Sequence, residues 1–130
     1  MIKQDLKKPR LAICVSGSRR NFDSSGHVIP SLANVVAATI AAAKSTSCEY
    51  DDLNKESTSY LNSNGAKDAA TFNLSPKDYT HLNKAGTILY GNMMGWLLEN
   101  TIADNSQIAP YIHPRSDVVA AIEAGKYIVP

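Results

Sequence analysis

The chain has 130 residues, 44% of them hydrophobic and 19% charged, and thirteen Lys+Arg against twelve Asp+Glu leave a formal charge of +1. That size and composition predict one packed domain and exclude wholesale disorder. No basic cluster is denser than Lys7-Lys8 or Arg19-Arg20, which excludes counterion-driven binding of nucleic acid, and no apolar run nears the roughly 20 residues that cross a bilayer.

Met1 to Arg10 is polar and lacks the apolar segment of an export signal. Leu11-Ala12-Ile13-Cys14-Val15 is short and apolar on both faces, which predicts a strand buried on both sides in a parallel sheet. Arg19 to Pro30 is polar and reads as a loop. Ser31 is the expected N-cap of a helix with apolar residues at Leu32, Val35, Val36, Ile40 and Ala43, fading at Lys44 to Ser47. Cys48 to Leu53 carries three acidic residues in six, so its place after strand and helix argues for a second strand more than its composition does.

Asn54 is the expected cap of a short helix through Tyr60 and Leu61, ended by Asn64-Gly65, and Ala66 to Lys77 reads as a loop. Lys84 to about Asn100 is the clearest helix, with Ala85, Ile88, Leu89, Met93, Trp96 and Leu97 on its inner side. After a polar break at Asp104-Asn105-Ser106, a last short helix is expected from Ser116 or Asp117 to Ala124, stopped by Gly125. The rest of this segment, with Pro110, Pro114, Pro130, Tyr111, Ile112, Tyr127 and Ile128, reads as extended apolar chain lying across the domain.

The class is α/β. Two strands are too few for it, since sheets usually hold about 4–6, and two strands cannot cover both long helices. The packing therefore calls for further strands hidden in the coil, for a partner, or for a chain that is a fragment, and an isolated fragment would self-associate along its open sheet edge or depend on a partner.

The sharpest local feature is Asp78-Tyr79-Thr80-His81-Leu82-Asn83, directly ahead of the Lys84 helix. A carboxylate three residues before a histidine, in a turn, can bind one imidazole nitrogen, fix the tautomer and leave the other nitrogen free to take a proton from a serine. Asn83 can cap the helix and Gly86 allows close backbone packing in its first turn. Ser16 and Ser18 follow the first strand, but Ser16-Gly17-Ser18 is no Gly-x-Ser-x-Gly elbow and reads as a polar exit turn.

Asp78-x-x-His81-Leu82-Asn83-x-x-Gly86 followed by an amphipathic helix resembles the last conserved block of the SGNH (GDSL-type) hydrolases, closest to rhamnogalacturonan acetylesterase-like carbohydrate esterases. The likeness extends upstream in order. Leu11 to Val15 with Arg19-Arg20-Asn21-Phe22 and Gly26 resembles that group's strand, Arg-Arg-x-Phe loop and glycine. Asp52-Leu53-Asn54 with Ser57, Tyr60 and Gly65 resembles its Asp-Leu-Asn segment and following helix.

The resemblance implies a three-layer α/β/α, flavodoxin-like fold with parallel strands, of which this chain is the C-terminal half, lacking the N-terminal strands. Residues 1–101 would form that half and 102–130 an extension packing on it. It also implies serine ester hydrolysis without metal or organic cofactor, acting on acetylated pectic carbohydrate or another small ester. His81 would be the base and Asp78 its orienter. The family's Gly-Asp-Ser nucleophile and its oxyanion glycine and asparagine have no counterpart here, so the serine would come from a complementing N-terminal half. Family enzymes of this kind imply an extracellular setting.

Arg19 and Arg20, as carboxylate ligands, and Tyr79 and Thr80, between the catalytic pair, are the candidate substrate contacts; for the arginines a solvated loop is the plainer reading. His27 and His113 have no partners at metal-ligand spacing, so no metal site is expected. Cys14 reads as a small packed residue, and both a Cys14–Cys48 disulfide and two free thiols remain open. Asn73-Leu74-Ser75 matches a glycosylation sequon. The reading that competes with the esterase is a non-catalytic α/β remnant that binds a small ligand or a partner.

Overall fold

The structure, a computed structural model, describes residues 12–104, 106 and 108–130. Leu11 of the expected first strand, the Lys7-Lys8 pair and Asn105 of the polar break lie outside the described residues. Within them the chain is α/β and about 53% helical, with one short parallel sheet of two strands. In chain order the elements are β1 (Ala12–Cys14), α1 (Ala33–Ser45), β2 (Glu49–Asp51), α2 (Leu53–Ala69), a 3-10 turn (Ala70–Phe72), α3 (Lys84–Thr101), a second 3-10 turn (Ala109–Tyr111) and α4 (Ser116–Glu123).

β1 and β2 pair in register Ala12↔Glu49, Ile13↔Tyr50 and Cys14↔Asp51, and Val15 N–H extends the ladder to the Asp51 carbonyl at 3.2 Å. A parallel pair joined through a helix is the crossover unit that the order of elements predicts. The expected two-sided burial of β1 holds only in part. Val15 is buried and Ile13 half-buried, while Cys14 is exposed. The register also decides the disulfide. Cys48 lies three residues before Asp51, hence about 10 Å along the strand from Cys14, beyond the roughly 7 Å limit for bridging, and both thiols are free.

The core is built mainly by helices. Leu53 and Tyr60 of α2, Leu89, Tyr90, Met93 and Leu97 of α3, and Val118 and Ile122 of α4 close around Phe72. Burying apolar side chains of this size contributes about 1.5–3 kcal/mol each before entropy is set against it. The 102–130 segment is therefore part of the core through α4, with Tyr111 exposed and Ile112 and Ile128 half-buried beside it. Gly125 ends α4 at φ 59°, as its position requires.

α1 differs. Of its apolar stripe only Ala43 is buried, and Val35 is 52% exposed, so the sheet does not cover this helix. Three further expectations are corrected. Ser31 is not the cap of α1: its N–H turns back to the Ile29 carbonyl, and the helix starts at Ala33 without a side-chain cap. α2 is capped by Asp52, whose Oδ1 accepts Lys55 N–H at 2.9 Å, not by Asn54. Its regular backbone breaks at Gly65 as expected, at φ 79°, but the chain then resumes as helix through Ala69 where a loop is expected. Ala69 and Leu61 pack there on Val28 from the long loop.

Candidate functional site

The loop that leaves β1 is tied to the helices before it reaches the site. Gly17 lies against Tyr90, where a Cβ would stand 2.7 Å from the ring. Ser18 N–H donates to Ser57 Oγ at 2.8 Å, and the Tyr90 hydroxyl donates to the Ser18 carbonyl at 3.0 Å. Ser57 in turn donates to the Leu53 carbonyl, so this buried polar group is paired throughout.

The chain then returns as a narrow loop between the first 3-10 turn and α3. Asn73 and Leu82 form an isolated antiparallel bridge, Leu74 N–H donates to the His81 carbonyl, and Asn83 N–H to the Phe72 carbonyl, each at 3.0 Å. Asn83 caps α3 as expected: its Oδ1 accepts Gly86 N–H at 3.0 Å, and its Nδ2 donates to the Thr71 carbonyl.

At the tip of this loop Asp78 folds over its own turn. Its Oδ1 accepts the N–H groups of Thr80 (3.1 Å) and His81 (2.9 Å), the local bonding that aspartate favours. The same carboxylate meets the His81 ring, Nδ1 lying 3.0 Å from Oδ2 and 3.2 Å from Oδ1. These contacts assign the proton of the neutral ring to Nδ1, which leaves the Nε2 lone pair outward. The His81 side chain is 72% exposed. The His81 backbone N–H first, and after it the Thr80 N–H and the His81 ring, hold the Asp78 carboxyl below the usual carboxylate range, against the opposing effect of burial. His81 and Asp78 thus stand together as the sequence predicts.

The other candidates separate. Arg19 and Thr80 are exposed. Arg20 is not in a solvated loop: it is 3% exposed, its Nε donating to Asn73 Oδ1 at 2.7 Å and its Nη2 to the His81 carbonyl at 2.6 Å. Arg20 and Tyr79 share the wall of a cleft of about 270 Å³ with Asn21, Phe22, Ala66 and Ala70. Asn73 is buried with its amide oxygen engaged, so the sequon is not presented to solvent. Ser18 is buried and its hydroxyl donates to the Arg19 carbonyl; Ser16 is exposed. Among the described residues no hydroxyl bonds to His81, and no group of three or more His, Cys, Asp or Glu side chains is placed to hold a metal ion. No described helix is long and apolar enough to cross a membrane.

Sequence reasoning missed one Asp, Ser and His grouping. Asp23 Oδ1 accepts Ser25 Oγ at 2.7 Å, and Ser25 Oγ lies 3.1 Å from His27 Nδ1. The order is wrong for catalysis. The single hydroxyl hydrogen goes to the carboxylate, so the imidazole must donate to the serine and cannot take its proton. Asn73 was also missed as a partner of Arg20, because nothing local marks a contact across 53 residues.

No family model matches this chain, and neither a curated protein nor a solved structure matches it.

Proposed function

We propose that this chain carries the acid–base part of an ester hydrolase of the SGNH type, acting as a carbohydrate O-acetylesterase within a three-layer α/β/α, flavodoxin-like fold. The observation that carries the reading is the Asp78–His81 pair, in which one ring nitrogen is engaged by a carboxylate and the other is open to solvent. Support also comes from the meeting of two motifs far apart in sequence. The Arg19-Arg20-Asn21-Phe22 loop and the Asp78-x-x-His81 turn converge where Arg20 bonds the His81 carbonyl.

In this reading a serine from outside the described residues attacks the acetyl carbonyl while His81 Nε2 takes its proton. The imidazolium, stabilised by Asp78, then protonates the departing sugar oxygen, leaving an acetyl-serine. Water repeats the cycle, giving its proton to Nε2 and releasing acetate and the serine. The substrate class follows the family resemblance.

The test is acetate release from an acetylated pectic oligosaccharide by this polypeptide, alone and with a Gly-Asp-Ser-bearing N-terminal half of such an esterase added. His81→Ala should lower the rate by about three or more orders of magnitude. An unchanged rate in the variant, or no release in any mixture, overturns the proposal.

A second reading, a non-catalytic domain that binds a small ligand, is favoured by the cleft beside Arg20 and Tyr79 and by the absence of a hydroxyl bonded to His81 among the described residues. A fluorophosphonate probe separates the two. Serine labelling in the mixture that depends on His81 supports the hydrolase, and no labelling in any mixture supports the binding domain.

A further inference from the structure

The guanidinium of Arg20 is buried, and among the described residues no carboxylate pairs with it. Its acceptors are neutral: Asn73 Oδ1 at 2.7 Å from Nε, and the carbonyls of His81 (2.6 Å) and Asp78 (3.4 Å) from Nη2. Its own backbone N–H donates to the Tyr79 carbonyl at 3.0 Å. Three of the four residues from Asp78 to His81 are therefore bonded to one residue, and a single planar nitrogen spans the carbonyls at the two ends of the turn.

We propose that Arg20 is the positioning residue of the Asp78–His81 pair, with Asn73 holding its guanidinium in place. The inference rests on the acid–base reading of that pair and names what sets its geometry. The ring of His81 is largely exposed, so little around it fixes its position. An exposed ion pair is also too weak to hold itself closed against side-chain motion. The separation of the two side chains is then set by the backbone between them, and that backbone is pinned by the fork of Arg20, which is stiff and planar where lysine is flexible and a point charge. The order of the restraints follows. Asn73 fixes Nε, Nη2 is thereby aimed at the turn, and the Asp78 carboxylate reaches Nδ1 of the ring. Arg20 acts through the turn and touches neither reacting atom.

The experiment reads the tautomer of His81 by ¹⁵N NMR in the full chain, in mildly alkaline solution, with unfolding monitored in parallel. The unsubstituted protein is expected to show the Nδ1–H form in majority. Arg20→Lys and Asn73→Ala should lower the ratio of Nδ1–H to Nε2–H about fivefold or more, toward the preference of a free imidazole. Asn73→Asp, which keeps an acceptor for Nε, should hold the ratio near that of the parent. A parental ratio in folded Arg20→Lys and Asn73→Ala overturns the proposal. So does loss of the ratio in Asn73→Asp, or unfolding of all three variants, which would make the residues supports of the whole domain. A parent without the Nδ1–H majority overturns this inference and the acid–base reading together. Absence of ester turnover alone counts against the proposed function and leaves the positioning role standing, because the readout needs no substrate.

Discussion

Cys14 and Asp51 face each other across the two strands, the thiol Sγ donating to the carboxylate Oδ2 at 3.5 Å, and the other oxygen of that carboxylate has no hydrogen-bond partner among the described residues. Asp51 is 1% exposed. Burial, with a smaller push from Asp52, raises its pKa above the ordinary carboxylate value, against the contrary pull of the Cys14 bond. A raised carboxyl binds its proton more tightly in the folded chain than in the unfolded one. Stability is therefore fullest below the unfolded value of about 4 and falls as pH rises through the folded value.

Replacing Asp51 by valine removes an unsatisfied buried acceptor from a strand position. We expect Asp51→Val to gain about 1–3 kcal/mol at neutral pH. The gain should shrink in acid, where the parent carboxyl is neutral. Urea melts at the two pH values measure it, and a lower midpoint at neutral pH would show the carboxylate to be stabilising.

Two glycines on α3 should respond to alanine with opposite signs. At Gly91 an added Cβ meets nothing within 4 Å, so Gly91→Ala should stabilise by about 1 kcal/mol through helix propensity alone. At Gly86 a Cβ would stand 2.8 Å from the Phe72 carbonyl oxygen, which is backbone and cannot swing aside. Gly86→Ala should destabilise by about 1–3 kcal/mol despite the better propensity, and should disturb the neighbouring Asn73. Thermal melts of the two variants side by side decide it; equal shifts would remove the close approach from the account.

What the sequence made legible was local. α3, its Asn83 cap, the tight approach at Gly86 and the Asp78–His81 contact all depend on residues within a few positions of each other. β2 could be placed only by its order in the crossover, because Glu49 and Asp51 conceal it; Glu49 accepts Ala103 N–H from beyond α3, a contact no composition reveals. The resumption of α2 after Gly65 was hidden by a residue that usually ends helices, and the long-loop contact with Val28 supports it there. The burial of Arg20 was not legible at all, since its partners lie 53 and 61 residues away. The poor cover of α1 was foreseen by counting strands.

The Asp78 turn carries its own pH signature. The N–H groups of His81 and Thr80 bond the ionised carboxylate and lower its pKa, so the turn should stay closed as pH falls to the ordinary carboxylate value of about 4 and open only below it. The sign is that of a depressed acid: its contribution is complete above the unfolded value and is lost as pH drops through the folded one. Carboxyl NMR of Asp78 against pH measures this directly. A midpoint at or above that of a free aspartate would mean that the two backbone bonds are absent in solution.

The last segment of the chain straps the same region from behind. Ile128 N–H donates to the Tyr60 hydroxyl at 3.2 Å, the Tyr127 hydroxyl donates to Thr71 Oγ1 at 2.9 Å, and the Tyr127 ring lies 5.9 Å from that of Phe72. Burial raises the Tyr60 pKa, against the lowering pull of the Ile128 N–H bond. Tyr60→Phe leaves the ring packed in the core but strips Ile128 of its acceptor, at a cost of about 1 kcal/mol. Because the strap meets water on one side, the loss should be felt there before the core is. Hydrogen exchange should quicken at Ile128 by about fivefold, with the amides of α3 unchanged. Uniform acceleration through α3 would show instead that strap and core open as one unit.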